Sequence, residues 1–303
     1  DFRNLLKKFR KGAHRMKEIT GATRLAGLFA KPSQHSISPL IHNTAFQNLG
    51  VDARYLAFDV GQETLPQAIE AIRTFHMLGA NLSMPNKVAA VSYMDELSPT
   101  AQLVGAINTI VNKDGKLYGD STDGTGFMWS LKEKKVDVFQ NKMTILGTGG
   151  AALSIIAQAA LDGVKEIAVY NRKSAGFNDS QKKLANFTER TNCVIHLNDL
   201  ADTEKLAKDV AESVLLVNAT SVGMHPHAHS SPIENYAMIQ PKLFVYDAIY
   251  NPRETQLLKE ARLRGAETSN GLDMLLYQGA AAFEQWTGQK MPVSVVKRKI
   301  ENR

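Results

Sequence analysis

Two kinds of residue cluster in this 303-residue chain have types and spacing that could do chemistry. The first runs from Thr144 to Ala152: an apolar stretch, a glycine-rich turn, then the apolar segment Leu153 to Leu161. Gly147 permits a tight turn, Gly149 and Gly150 let backbone amides approach a pyrophosphate, and a following helix N-terminus favours its negative charge. Gly147, Thr148, Gly149, Gly150 and Ala151 are therefore candidate nucleotide-binding residues, with small Ala152 in the third glycine position. A tight turn with only a structural role is the alternative. The second kind is polar: His35 to Pro39 (HSISP), Asn81 to Lys87 (NLSMPNK), Gly105 to Thr109 (GAINT) and Ser121 to Gly126 (STDGTG). Hydroxyls and amides bind carboxylates and hydroxyls, and a lysine next to a carboxylate can relay a proton.

These clusters need elements to hold them. From Arg24 onward, short apolar runs alternate with longer amphipathic stretches, the pattern of βα units around a parallel sheet. Strands are predicted at Leu25 to Ala30, Tyr55 to Val60 and Ala80 to Met84, the last stopped by Pro85. Helices are predicted at Pro39 to Leu49, with Ser38 as cap and Pro39 in the first position, and at Leu65 to Leu78. Asp114-Gly115 between two β-rich runs reads as a hairpin turn within Ala106 to Gly119. A second series begins at Met143, with strands at Met143 to Leu146, Ile167 to Tyr170, Val194 to His196, Val214 to Val217 and Leu243 to Tyr246. The final helix is placed at about Leu272 to Trp286, with Leu275, Leu276, Gly279 and Phe283 on one stripe.

The glycine turn thus lies between a strand and a helix, and the next strand ends about 25 residues on, which completes a βαβ context for a dinucleotide. That strand ends Tyr170-Asn171-Arg172-Lys173-Ser174, with no acidic residue to bind a ribose diol. Arg172 and Lys173 offer positive charge suited to a 2′-phosphate, which favours NADP; a basic pair that only faces water is the alternative.

Composition narrows the class. A hydrophobic share of 44% with 22% charged residues is that of a globular chain long enough for two domains. The formal charge of +6 is local, since residues 1–18 hold Arg3, Lys7, Lys8, Arg10, Lys11, Arg15 and Lys17 against Asp1 and Glu18, a net of five. That segment reads as a solvated tail, an extension ahead of Met16, or a basic arm. No nucleic-acid or membrane partner is expected, because the remainder is near neutral and no apolar run is long enough for a signal or a span. Cys193 stands alone and reads as a small buried thiol in a reducing, cytoplasmic compartment. His225, His227 and His229 alternate in a loop, read as surface rather than metal site.

The segments HSxSP, NxSxPxK, GAxNT, TDGxG and GxGGA, in that order from Arg24 onward, resemble the shikimate dehydrogenase family; SMPNK, GAINTIVN, VGM and YNP place the chain nearer its quinate/shikimate branch. The resemblance implies a two-domain α/β fold: an α/β substrate domain of residues 1–122 plus 271–303, and a Rossmann-type NAD(P) domain of residues 123–270. It implies Lys87 as acid/base with Asp123 as its charged partner, and Ser36 and Ser38 on a substrate carboxylate. Ser83, Asn108, Asp123 and Gln278 would face ring hydroxyls, with Tyr250 closing the site. Asn171, Arg172, Lys173, Ala248 and Gly271 would join the glycine turn in holding the cofactor, Gly271 near the nicotinamide. The activity implied is reversible reduction of 3-dehydroshikimate, or of 3-dehydroquinate, within aromatic amino-acid biosynthesis. The alternatives are a dehydrogenase for another cyclic hydroxy acid such as an amino-shikimate, or a ligand-sensing protein without catalysis. A homodimer is compatible with the sequence.

Two departures bear on this. Ser121 stands where the family usually has asparagine. After Asn171-Arg172 the NADP-specific branch has threonine and a second arginine, and the quinate/shikimate branch an acidic residue near Ser174; this chain has Lys173 and Gly176, so NADP, NAD or both stay open.

Overall fold

A computed structural model describes residues 17–302, which leaves the basic segment up to Met16 outside the described residues. The chain forms two compact units: one extends to Thr122 and resumes at Gly279, the other is Asp123–Gln278.

In the first unit, β1 (Arg24–Ala30), β2 (Ala53–Asp59) and β3 (Gly79–Leu82) are parallel, joined by the helices α1 (Ser38–Leu49) and α2 (Leu65–Thr74). After β4 (Glu96–Leu97) and the short helix α3 (Pro99–Val104), the hairpin β5 (Thr109–Lys113) and β6 (Lys116–Asp120) adds two antiparallel strands, with β4 parallel to β6 at the edge, giving the order β2-β1-β3-β5-β6-β4. The hairpin turn is the expected one: Asp114 at φ 53° and Gly115 at φ 89° form a two-residue loop matched to strand twist. One sheet face buries Phe29, Leu65, Ile69, Ile72, Leu82 and Ile110. Elsewhere in the unit, an aromatic group of His42, Tyr55, Phe46, Phe283 and Trp286 fastens the returning C-terminal chain.

In the second unit, α4 (Thr122–Glu133) leads into β7 (Lys142–Leu146), α5 (Gly150–Asp162), β8 (Glu166–Asn171), α6 (Phe177–Arg190), β9 (Val194–Asp199) and α7 (Thr203–Glu212). Then follow β10 (Leu215–Asn218), β11 (Phe244–Asp247), α8 (Gln256–Leu263), β12 (Glu267–Ser269) and α9 (Leu272–Thr287). All six strands are parallel, in the order β12-β11-β10-β7-β8-β9. Read in chain order this is 3-2-1-4-5-6, the doubly wound arrangement whose switch point lies between β7 and β10. Strands covered on both faces read as apolar runs, as Leu215 to Val217 and Phe244 to Tyr246 do within the fully buried β10 and β11. Lys142 closes the amino end of β7 with Asp209 at 2.7 Å and Glu166 and Glu212 at 2.9 Å.

Several sequence expectations are corrected. Ser38 is not the cap of α1: Ile37 takes that place with no side-chain cap bond, so Ser38 and Pro39 are the first two helical residues. α2 stops at Thr74 because His76 turns left-handed at φ 48°, and Met77 and Leu78 are buried in the link to β3. β3 stops at Leu82, two residues before Met84. The last helix is a further one, α10 (Val293–Glu301), beyond Gly288 at φ 69°; it packs on α1. Two- and three-residue strands such as β4 and β12 are too short for an alternation to register.

Candidate active site

In the first unit, the polar clusters gather beyond the carboxyl ends of β1 and β3. Ser36 Oγ accepts the Ser38 amide at 3.2 Å, so the two serines turn together into the start of α1. The Ser38 hydroxyl bonds the Tyr55 phenol, whose ionisation burial suppresses. Tyr55 in turn donates to Asn81 Oδ1 at 2.9 Å, and Asn81 Nδ2 donates to Thr109 Oγ1 at 3.0 Å and the Asn108 carbonyl at 3.2 Å. Asn108, buried at 3% exposure, accepts the Thr122 amide at 2.8 Å on Oδ1 and hydroxyls of Thr109 and Thr122 at 3.1 Å. A buried chain of side chains therefore connects the serine cluster to Asn108. Ser83 and Lys87 are half-buried on the segment between β3 and the Ala89–Tyr93 turn, and the Lys87 carbonyl accepts the Ile107 amide at 2.9 Å.

In the second unit, Asp123 lies in the first turn of α4, where the helix dipole favours a carboxylate. The glycines after it are explained by packing: a Cβ on Gly124 would lie 2.2 Å from the Ser154 carbonyl of α5, and one on Gly126 would lie 2.4 Å from the Gln278 amide of α9. Only glycines let α4 lie backbone to backbone against both helices, and this brings Asp123 within a turn of the Gln278 contact. Gln278 Nε2 donates to the Leu275 carbonyl at 3.0 Å.

The glycine turn follows β7. Gly147 needs its residue type: φ is 110°, and a Cβ would lie 3.0 Å from the Ala219 carbonyl after β10, across the switch point. Gly149 and Gly150 differ, since φ at neither is positive and a Cβ there would meet no protein atom within 4 Å. Nothing in the protein requires them to be glycine, whereas an anion approaching the N-terminus of α5 would, so these residues fit a dinucleotide pyrophosphate. Ala151 is exposed beside them and Ala152 is fully buried. Thr148 Oγ1 accepts from Asn171 Nδ2 at 2.8 Å and Ser180 Oγ at 3.1 Å, which ties the turn to the end of β8. Arg172 and Lys173 follow, exposed, at a cavity of about 710 Å³ also lined by Asp199, Thr203, Glu234 and Asn235.

Ala248 and Gly271 come together: the Gly271 amide donates to the Ile249 carbonyl at 3.0 Å, and a Cβ on Gly271 would overlap the Ala248 carbonyl. Tyr250 is exposed two residues on. Asp247 sets this segment by accepting the Ile249 amide at 3.0 Å, Thr255 Oγ1 at 2.7 Å and Asn218 Nδ2 at 3.1 Å. Burial pushes its carboxyl up to about 6 despite those bonds.

Sequence reasoning overlooked Asp199. It is the last residue of β9, paired with Asn171 in the β8–β9 ladder, and its carboxylate stands 3.8 Å from Lys173 Nζ. An acidic residue does reach the basic pair, from the neighbouring strand; only the register could have shown it. Among the described residues no group of three or more His, Cys, Asp or Glu side chains could hold a metal ion, and no helix is long and apolar enough to cross a membrane. Cys193 is buried, its thiol pushed up to about 12 first by burial and then by Glu166.

Two family models match this chain: the shikimate dehydrogenase substrate binding domain over residues 28–110 and the shikimate 5′-dehydrogenase C-terminal domain over residues 271–301. A shikimate dehydrogenase (NADP(+)) of Listeria innocua is 49% identical over 279 residues, covering 92% of this chain and 96% of the relative. The shikimate 5-dehydrogenase of Listeria monocytogenes, solved in complex with shikimate and NAD, superposes with a TM-score of 0.92 at 48% identity, covering 94% of this chain and 99% of that one. Quinate dehydrogenase of Corynebacterium glutamicum, solved with NAD, gives 0.82 at 25% identity over 93% of this chain and 99% of its own.

Proposed function

Since the chain belongs to the shikimate dehydrogenase family, we propose that it interconverts 3-dehydroshikimate and shikimate with NADP or NAD as the redox partner. The observation that carries this is the pair Gly149 and Gly150, which the protein's own packing does not require, on a 3-2-1-4-5-6 parallel sheet. The greater identity to NADP-named shikimate dehydrogenases than to the quinate enzyme supports shikimate and NADP as the preferred pair.

When bound, the nicotinamide would supply the hydride chemistry at the ring carbon. Thr148, Gly149, Gly150 and Ala151 would hold the pyrophosphate with backbone amides, Asn171, Arg172 and Lys173 would hold the adenosine end, and Ala248 and Gly271 would lie near the nicotinamide. Ser36 and Ser38 bind the substrate carboxylate, and Ser83, Asn108 and Gln278 its hydroxyls, with Tyr250 as the closing group. Lys87 gives a proton to the ring oxygen as hydride arrives at carbon, and takes it back in the reverse direction, with Asp123 as its charged partner. The thiol, buried and alone, suits a reducing cytoplasmic setting.

The test is consumption of NADPH or NADH by the purified chain with 3-dehydroshikimate, and with 3-dehydroquinate alongside. Turnover of the first with NADPH is expected; no turnover with either ring acid and either cofactor refutes the reading.

A further inference from the structure

Lys87 must be held where a proton can pass to one oxygen, yet it is a long side chain on an irregular segment. The residue before it is built differently from its surroundings. Asn86 is 0% exposed. Its Nδ2 donates to the Val60 carbonyl at 2.8 Å and the Phe29 carbonyl at 3.2 Å, while its Oδ1 is buried with no partner. Phe29 lies at the carboxyl end of β1 and Val60 just beyond β2, so one amide group ties the segment to both strands. Its backbone closes the same knot: the Asn86 amide donates to Ser83 at 2.9 Å, and Ala90 donates to Asn86 at 3.0 Å.

We infer that Asn86 is the positioning residue for Lys87, its amide pinning the Ser83 to Lys87 segment against the ends of β1 and β2. The inference rests on the acid/base reading of Lys87 proposed above. Both amide hydrogens are used and the oxygen is stranded, which is an unfavourable arrangement for a residue kept only to fill space. What the position requires is two donors on one neutral group, and among side chains of this size a carboxamide supplies them. Losing them frees the backbone of the residue next to Lys87, and a misplacement of about 1 Å at a reacting group costs on the order of 100-fold in rate.

The test uses Asn86→Asp and Asn86→Ala in the full chain, with kcat, KM for both substrates and thermal melts measured across pH. A carboxylate in this position faces two carbonyl oxygens with nothing to donate, whereas the protonated acid donates one bond. Burial and those carbonyls raise the introduced acid's pKa. The kcat of Asn86→Asp relative to the parent chain is therefore expected to be nearest one in acid and to fall as pH rises, with KM for NADP unchanged and the fold intact at each pH. Asn86→Ala should lose on the order of 100-fold in kcat at every pH. Variants that fold and keep kcat within about twofold, or that lose activity only in step with their melting, overturn the inference. Lys87→Ala run alongside separates it from its premise: unaltered turnover in that variant removes the role of Lys87, whereas an inert Lys87→Ala beside unaffected Asn86 variants removes only the role of Asn86.

Discussion

The Asp199 carboxylate stands 3.8 Å from the Lys173 ammonium at the carboxyl ends of neighbouring strands. Lys173 is largely exposed, so the pair contributes little to stability. Its consequence is for the charge a 2′-phosphate would meet: Asp199, fixed by accepting the Ala201 amide at 3.0 Å, takes part of the positive field that Arg172 and Lys173 supply. Asp199→Asn should raise the ratio of kcat/KM with NADP to that with NAD by roughly tenfold, about 1.4 kcal/mol. Arg172→Ala should lower that ratio. Initial rates with both cofactors at two salt concentrations check this; a ratio unmoved by Asp199→Asn sinks it.

Lys87→Ala should lower kcat by about 10² to 10⁴-fold, the usual contribution of a positioned acid or base, with little change in KM. Steady-state kinetics in both directions decide it, and a normal turnover number rules out the assigned role.

The glycines divide into two classes that mutation should separate. Gly124→Ala puts a methyl 2.2 Å from the Ser154 carbonyl and should cost about 1 to 3 kcal/mol in stability. Gly149→Ala meets no protein atom and should melt as the parent does, yet bind NADP more weakly. Thermal melts with and without NADP measure both; equal behaviour of the two variants contradicts the assignment.

His42 makes the first unit sensitive to acid. Its imidazole is fully buried, stacked on Tyr55 at 4.4 Å, with no hydrogen-bond partner on either nitrogen. Burial, opposed by the neighbouring Asn81, lowers its pKa from 6.5 to about 3. The neutral ring's contribution is complete above the unfolded value of 6.5 and is lost as pH falls toward 3, at about 1.4 kcal/mol per pH unit. His42→Leu should therefore lose less stability than the parent on acidification. Asp247, whose pKa rises to about 6, slopes the other way over the same range, so the difference between parent and variant is the quantity to read from urea unfolding. Parallel pH curves for the two chains contradict it.

Much of this molecule was legible in the residues. The Asp114-Gly115 turn, the strand and helix around Gly147, and the apolar runs of β7, β10 and β11 each follow from conformational preferences that act over a few neighbours, and the ordered motifs pointed to the family. What the sequence could not show are relations between distant residues. Asn86 is bonded to carbonyls 26 and 57 residues away, Asp199 reaches Lys173 only because β9 pairs with β8 in one register, and Gly124 and Gly126 matter because two other helices cross there. Ser38 reads as a helix cap in the sequence, but the cap falls at Ile37 and the Ser38 hydroxyl meets Tyr55 of β2. Local propensity is set within a turn or two of backbone, whereas register, crossing and burial are decided by which distant surfaces exclude water together.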